Sequence, residues 1–199
     1  DALKHPNWKM GKKISIDSAT LMNKVFEIVE AQKLFNLPNK KIDILVHPES
    51  LVHAIVKFKN GLTNFIYHDT SMIIPLANAI FENNLLIDHF IKKNIKKTNL
   101  QPIKNLTFKK INYSKFPIKK ILEQINKYSS SPIIINAANE ILVDYFLAKK
   151  ISFLAIYKTI LAVMNDSNFK KYAIRKPKNI TQIEKIDTLA RKATIKKIC

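Results

Sequence analysis

Apolar residues along the first fifty positions follow two different periods. Residues 13–17, KISID, alternate apolar and polar side chains, which predicts a short strand. Residues 18–36 then carry apolar side chains at helical spacing, and Ser18 stands where a helix N-cap belongs, so a helix is predicted there. Residues 42–46, IDILV, predict a short buried strand. This part of the chain is therefore expected to mix strands with helices.

A hairpin and a further helix are predicted next. Residues 51–58 and 62–67 are rich in β-branched and aromatic side chains, and the Asn-Gly pair at 60–61 between them suits a type I′ turn. Residues 71–81, SMIIPLANAIF, have the pattern of a helix with Pro75 in its first turn, where proline is tolerated.

The second half of the chain is helical in pattern after a polar interruption. Residues 82–110 are rich in lysine and asparagine with few periodic apolar positions, and they predict a connector. Four helices are then predicted, at residues 117–128, 137–150, 152–164 and 183–198. Asn136 is the predicted cap of the second of these helices, and Thr181 with Glu184 forms a predicted capping box for the last.

Together these elements predict an α+β chain in three parts. Residues 1–81 form an α/β part with a hairpin-containing sheet, residues 82–111 the connector, and residues 112–199 a helical bundle.

The charge of the chain leaves two interpretations open. Its 34 Lys and Arg against 15 Asp and Glu give a net charge of +19, as in many nucleic-acid-binding modules. The lysines are spread from Lys4 to Lys197 in ones and twos, without an aromatic-interleaved basic motif or zinc spacing. The coding bias of an AT-rich genome is the favoured explanation, so neither a nucleic acid nor a membrane is expected as a partner.

Other compositional features exclude several classes of protein. No apolar run approaches the roughly 18 residues of a membrane helix. The two glycines, Gly11 and Gly61, cannot build a Rossmann fingerprint or a P-loop. The single cysteine, Cys199, excludes an internal disulfide. Because the chain opens on Asp1 in mid-pattern, we expect it to be a piece of a longer protein.

The predicted turn from strand to helix at Ser18 suggests an anion site. Free amides in the first turn and the helix dipole both favour a phosphate, and Asn23 and Lys24 can lean back toward it. Glu27 follows on the same polar face, roughly 13 Å along a continuous helix from Ser18, which suits a metal bound to the other end of a short phosphorylated sugar. An ordinary solvated helix face explains the same spacing.

Three motifs carry a resemblance to a known family. They are HPNWKMGKKISIDSATLMNK at 5–24 with EIVEA after it, LVHPESLVHAIV at 45–56, and INAANEI at 135–141. The chain closely resembles the 1-deoxy-D-xylulose 5-phosphate reductoisomerase family along nearly its whole length. The resemblance implies an enzyme of isoprenoid biosynthesis that isomerises its substrate and reduces the product with NADPH to 2-C-methyl-D-erythritol 4-phosphate, using Mg²⁺ or Mn²⁺. It further implies a homodimer joined through the hairpin sheet, cytoplasmic in a bacterium or plastid-located in a plastid-bearing eukaryote.

The same resemblance implies roles for individual residues. The loop at 5–11 matches a flap that closes over the substrate, with Trp8 as its covering indole and Gly11 on the side of the cofactor. Residues matched to contacts with the substrate phosphate or its neighbouring hydroxyls are His5, Ser18, Asn23 and Lys24. Glu27 matches a metal ligand that also meets the substrate, and Met72 matches a methionine that lines the pocket next to substrate and cofactor. His53 matches a histidine needed for activity and is expected to be catalytic together with His5 and Lys24.

The chain also departs from the family's pattern. Val25 stands where the family usually has glycine, which puts the fit of the phosphate site in question. The family's Rossmann domain, its Asp-x-Glu metal ligands and a serine-rich phosphate loop precede the matching stretch and are absent here. We therefore expect the chain to hold part of an active site and to be inactive alone. Two alternatives are a basic nucleic-acid-binding module and a dimerisation module without catalysis; the joint presence of the matched histidines, lysine and glutamate argues against the second.

Overall fold

The computed structural model describes residues 2–3, 11–81 and 105–198 of this chain. Its helices are α1 (Lys12–Thr20), α2 (Met22–Phe35), α3 (Ile73–Phe81), α4 (Lys119–Ile125), α5 (Ser131–Leu147), α6 (Phe153–Met164), α7 (Ser167–Ala173) and α8 (Ile180–Ile198), with a 3-10 turn at Asn39–Lys41. Its strands are β1 (Leu45–Val46), β2 (Val52–Lys57), β3 (Thr63–Tyr67) and β4 (Lys109–Lys110). No helix within those ranges is both long enough and apolar enough to cross a membrane.

The described residues divide into two compact units. The first unit contains residues 2–3, 11–44 and 112–198, and the second contains residues 45–81 and 105–111. A mixed α+β chain with a helical C-terminal part, as predicted, is confirmed. The predicted domains at 1–81, 82–111 and 112–199 stay a prediction, and the two compact units follow different bounds. Much of the predicted connector, residues 82–104, lies outside the described residues.

Helix α5 lies at the centre of the first unit. It packs against α6 and α8 and also contacts α1, α2 and α4. Ile135, Ala138 and Leu142 recur along it at helical spacing and are almost completely buried. Helices α1 and α2, which carry the predicted phosphate-site residues, thus pack against α5, as the other helices of the bundle do.

The predictions for residues 13–17 and for the start of α5 are wrong. Residues 13–17 lie in α1 and form no strand, because five alternating positions are too few to distinguish a strand from one face of a helix buried on α5. Helix α5 starts at Ser131, since Pro132 fits the first turn of a helix; Asn136 therefore lies inside it and is not its cap.

Helix α8 is capped two residues earlier than the predicted box of Thr181 and Glu184. The Asn179 side chain accepts a hydrogen bond from the Gln182 N–H (3.0 Å), and the Gln182 side chain accepts one from the Lys178 N–H (2.8 Å). These bonds satisfy amides at the N-terminus of a helix that begins at Ile180.

The predicted hairpin is confirmed in the second unit, but its turn is of another type. Strands β2 and β3 pair antiparallel, with Ile55 opposite Phe65. Gly61 has φ of 90°, whereas Asn60 is not among the residues with positive φ, so the type I′ turn is wrong. The Gly61 N–H donates to the Phe58 carbonyl (3.2 Å), as in a type I turn followed by a glycine bulge.

A second small sheet brings residues 109–110 against the strand predicted at 42–46. Only Leu45 and Val46 form that strand, β1, and both are exposed rather than buried. The His47 ring lies 2.9 Å from the Thr107 carbonyl and 2.9 Å from the Glu49 carboxylate, and it stacks on Phe108. Hydrogen bonds with Thr107 and with the Glu49 backbone, and then electrostatic attraction to His47, hold the pKa of the Glu49 carboxyl below its usual range. These contacts fasten residues 105–111 to β1.

The N-cap of α7 generates a prediction about pH. Asp166 accepts hydrogen bonds from Lys197 (2.7 Å) and from the Asn168 N–H (2.8 Å), and these hold the pKa of its carboxyl below the usual value. A depressed folded-state pKa stabilises the fold above the ordinary aspartate pKa, and this stabilisation disappears as pH falls through the folded-state pKa. We expect Asp166→Asn to lower the free energy of unfolding by at most about 1 kcal/mol at pH 7.

Thermal unfolding of both proteins between pH 7 and pH 2 measures this effect. The difference in Tm should close at the acid end. Asp43→Asn is the matched control, because Asp43 is exposed and bonds the N–H of its own neighbour, Ile44. A Tm difference for Asp166→Asn that stays constant with pH would contradict the assignment.

Candidate functional site

The candidate site is built around a break between α1 and α2. Leu21 adopts a left-handed conformation (φ 60°, ψ 15°), and its N–H donates to the Ser18 carbonyl (3.1 Å), which ends α1. Left-handed geometry is uncommon for a residue other than glycine, so packing on both sides must hold it. Ser18 therefore lies in the last turn of α1. Its prediction as the N-cap of a helix is wrong, so the helix-start argument for an anion site does not apply to Ser18. Ser18 as a substrate-binding residue stays a prediction.

The free helix start belongs to α2, and it carries two of the predicted residues. Asn23 and Lys24 lie in its first turn, at the positive end of the helix dipole. The N-cap residue Leu21 supplies no side-chain cap, and the Met22 N–H donates to Thr20 Oγ1 (3.4 Å). The Asn23 Oδ1 atom is buried and has no hydrogen-bond donor among the residues that the structure describes. A buried amide oxygen without a donor can accept a hydrogen bond from a ligand hydroxyl.

Lys24 and Glu27 form an ion pair on the exposed face of α2. The distance from Lys24 Nζ to Glu27 Oε2 is 2.6 Å, and the two side chains are 39% and 52% exposed. They are separated by about 4.5 Å along the helix axis. The predicted span of a continuous helix from Ser18 to Glu27 does not apply, because Leu21 breaks the helix between them.

The described residues test whether a divalent cation could be held at Glu27. Within residues 2–3, 11–81 and 105–198, no group of three or more His, Cys, Asp or Glu side chains has the geometry to bind a metal ion. Mg²⁺ accepts one or two carboxylates and completes its shell with water and substrate oxygens. Glu27 therefore fits as one ligand of such an ion and cannot hold it without others.

A buried polar pair joins α1 to α5 behind the candidate site. Asp17 is 1% exposed and Asn139 is fully buried. Asn139 Nδ2 donates to Asp17 Oδ1 (2.8 Å), and Lys13 Nζ lies 2.6 Å from Asp17 Oδ2. The bond joins residues 122 positions apart in the sequence. It therefore fixes the turn of α1 that carries Ser18.

The second unit holds two further predicted residues. His53 lies on β2 where the pairing with β3 shifts between Val52 and Ala54, and such bulges redirect a side chain. Its Nε2 lies 3.1 Å from the His68 carbonyl, and the two imidazole rings stack with centroids 3.7 Å apart. Met72 lies just before α3 and is 58% exposed. These contacts give His53 a fixed ring orientation within its own unit.

The remaining predicted residues lie at the start of the chain. His5 and Trp8 lie outside the described residues. Gly11 precedes α1 in extended conformation, and a Cβ atom added to it would meet no atom of the described residues within 4 Å. Space for a side chain means that packing does not require glycine there.

The sequence interpretation missed Asp17, Asn139 and His68. A signal was present for Asn139, because it is a polar residue among apolar neighbours on its helix. Asp17 gave no such signal, since it shares its buried face with Ser15 and Thr20. Nothing in the sequence indicated that Leu21 would be left-handed.

Two family models match parts of the chain. One described as the DXP reductoisomerase C-terminal domain matches residues 69–193, and one described as the 1-deoxy-D-xylulose 5-phosphate reductoisomerase C-terminal domain matches residues 1–35. The fold and the matched segments thus define a C-terminal reductoisomerase domain. The chain belongs to the family of DXP reductoisomerase C-terminal domains.

Relatives and solved structures agree with this family. The 1-deoxy-D-xylulose 5-phosphate reductoisomerase of Pelagibacter ubique is 48% identical over 188 residues, which is 94% of this chain and 47% of that protein. The enzyme of the same name from Persephonella marina is 44% identical, over 85% of this chain and 44% of that protein. A crystal structure of DOX-P reductoisomerase in complex with NADPH, fosmidomycin and magnesium is 32% identical with a TM-score of 0.87, and covers 99% of this chain and 48% of that one. The chain spans about half the length of the curated relatives it matches.

The exposure of the Lys24–Glu27 pair generates a prediction about stability. An exposed ion pair contributes about 0–1 kcal/mol, so Lys24→Met and Glu27→Gln should each shift the Tm of this chain by no more than a few degrees. Asn139→Ala, which leaves Asp17 without its donor, is the contrasting variant and should lower Tm clearly. Thermal unfolding by circular dichroism measures all three. A large loss of Tm in either surface variant would show that the pair is structural.

Proposed function

We propose that this chain forms the C-terminal part of an enzyme that isomerises 1-deoxy-D-xylulose 5-phosphate and reduces the product with NADPH to 2-C-methyl-D-erythritol 4-phosphate. The observation that carries the proposal is the first turn and a half of α2. There Asn23, Lys24 and Glu27 combine a buried acceptor, a cation and a carboxylate at a helix N-terminus, within a chain of this family.

The phosphate end of the substrate is assigned to the start of α2. Lys24 offers a charge-assisted hydrogen bond, and the helix dipole adds to its attraction for an anion. Asn23 Oδ1 accepts from a neighbouring hydroxyl, and Ser18 contributes from the last turn of α1. These groups bind and orient the substrate.

The other end of the substrate is assigned to the divalent metal, with Glu27 as one ligand. When bound, Mg²⁺ or Mn²⁺ polarises the ketone and its adjacent hydroxyl. The contact with Lys24 uses Glu27 Oε2, so the other carboxylate oxygen would be the one offered to the ion. Further ligands come from parts of the enzyme beyond these residues, because the described residues offer no metal cluster.

The remaining roles follow the family resemblance. His5 and Trp8 belong to the closing flap, with Gly11 beside it, and Met72 lines the pocket next to substrate and cofactor. His53 takes part in catalysis with its ring held by His68. The NADPH-binding domain is assigned to a segment outside these 199 residues, since Gly11 and Gly61 stand in no dinucleotide fingerprint.

The assembly and location belong to the same proposal. The hairpin exposes large apolar side chains such as Phe65 and Ile66, which supports a homodimer joined through this sheet. We infer a cytoplasmic location in a bacterium, because the relatives named above are bacterial.

A reconstitution tests the proposed function. This chain alone, with Mg²⁺, NADPH and 1-deoxy-D-xylulose 5-phosphate, should oxidise no NADPH, because the nicotinamide site and the other metal ligands lie elsewhere. A fusion with the N-terminal half of the Pelagibacter ubique relative should restore oxidation, followed at 340 nm. Its matched control carries Lys24→Met with Glu27→Gln. A folded fusion without turnover would contradict the proposed function, and turnover by the chain alone would contradict the division of the site.

Single substitutions in that fusion should separate the two ends of the substrate. Lys24→Met removes a charge-assisted contact of about 1.5–3 kcal/mol and should raise KM strongly. Glu27→Gln should mainly lower kcat and raise the metal concentration needed for half-maximal rate. Steady-state kinetics across a Mg²⁺ titration distinguishes them. An unchanged metal dependence in Glu27→Gln would exclude the ligand role.

A further inference from the structure

Asp17 is a buried carboxylate to which the proposed function assigns no role. We propose that Asp17 and Asn139 are positioning residues for the phosphate site: their hydrogen bond fixes the last turn of α1 and the left-handed junction at Leu21, and so places Ser18, Asn23 and Lys24 for the substrate. This inference rests on the proposed function for the identity of the ligand. Its structural part stands on the contacts of the chain itself.

Burial of the Asp17 carboxylate is costly unless the carboxylate is paired and hydrogen-bonded. Asp17 is 1% exposed, and a carboxylate removed from water must be paired and hydrogen-bonded. Asn139 supplies a donor at 2.8 Å from α5, and Lys13 supplies a cation at 2.6 Å from one turn earlier in α1. Lys13 lies at the partly exposed edge, whereas Asn139 is fully buried. The bond from Asn139 is therefore the buried polar link from this carboxylate to the bundle.

The position of Asp17 connects this link to the site. Asp17 immediately precedes Ser18, and the Ser18 carbonyl accepts the N–H of Leu21 that ends α1. The Leu21 carbonyl in turn accepts the N–H groups of Lys24 (3.2 Å) and Val25 (3.3 Å), which form the first turn of α2. Asp17 is thus adjacent to Ser18 in the chain and is connected to Lys24 through two successive backbone hydrogen bonds.

Apolar packing alone would not fix the same geometry. Ile16, Met22 and Val25 are fully buried, and they hold both helices against the core. Hydrophobic burial is non-directional, whereas a hydrogen bond restricts both distance and angle. The Asn139 bond therefore sets the rotation of α1 about its axis, and with it the direction of Ser18.

The first experiment uses the 199-residue chain and needs no enzyme activity. Amide ¹H–¹⁵N spectra of Asn139→Leu should show shifts at Ser18, Asn23 and Lys24 larger than those in Ile160→Val, a core control in α6. The exchange Asp17→Asn with Asn139→Asp restores an amide-to-carboxylate bond between the same positions and should return these signals toward their original places. If Asn139→Leu does not fold, Asn139→Asp is used instead, because aspartate has nearly the volume of asparagine. The exchange variant then tests whether adding Asp17→Asn restores the signals that Asn139→Asp shifts. Signals at the junction that move no more than in Ile160→Val would overturn the inference.

The second experiment uses the active fusion described above. Asn139→Leu should raise KM and the Ki of inorganic phosphate together by about 10–100-fold, with a smaller change in kcat, because misplaced ligands bind the phosphate less well. The exchange variant should recover most of both constants, and Ile160→Val should change neither. If KM and Ki in Asn139→Leu each matched the wild-type value, the positioning role would be overturned. A fusion without turnover would count against the proposed function alone, since the spectra still decide whether the bond places the junction.

Discussion

The hydrogen bond from Asn139 to Asp17 is the constraint on which the arrangement of the first unit depends. It connects a short N-terminal helix to the central helix of the bundle, 122 residues later in the chain. A carboxylate buried to this degree makes the contact nearly obligatory, because without its donor the fold would bear the cost of an unpaired buried acceptor. The bundle is therefore more than a separate C-terminal attachment. It forms part of the support for the helices that carry the candidate phosphate and metal ligands.

The break at Leu21 creates the helix N-terminus at which Asn23 and Lys24 lie. A continuous helix from Ser18 to Phe35 would have kept its amides internally bonded around Asn23 and Lys24. Since Leu21 is left-handed, a new helix starts at Met22, and the positive end of its dipole lies beside a lysine. The candidate anion site therefore lies in the stretch where the sequence predicted one, but at the N-terminus of a different helix. The strain of a left-handed leucine is tolerated because buried residues on both sides fix it.

Local patterns predicted the parts of the fold that local interactions determine. The hairpin followed from alternation around Asn60-Gly61, and α3 and α6 from helical spacing. The failures have non-local causes. Residues 13–17 are helical because they pack on α5, and Lys109–Lys110 form a strand because β1 and the contacts of His47 hold them. Within the site, the helix face of Asn23, Lys24 and Glu27 could be predicted, whereas the partnership of Asp17 with Asn139 required the tertiary structure.

The Lys24–Glu27 pair has a consequence for the order of events at the proposed site. Each side chain at present satisfies the charge of the other at 2.6 Å. A phosphate drawn to Lys24 weakens that contact and frees the Glu27 carboxylate, and a cation bound by Glu27 frees Lys24 for the phosphate. Each ligand therefore removes part of the cost of binding the other, and by linkage the effect is the same in both directions. Because the pair is exposed and intrinsically weak, little energy is lost when it separates. The same weakness limits the coupling to at most about 1 kcal/mol, so at the proposed site the pair would link the two binding events only modestly.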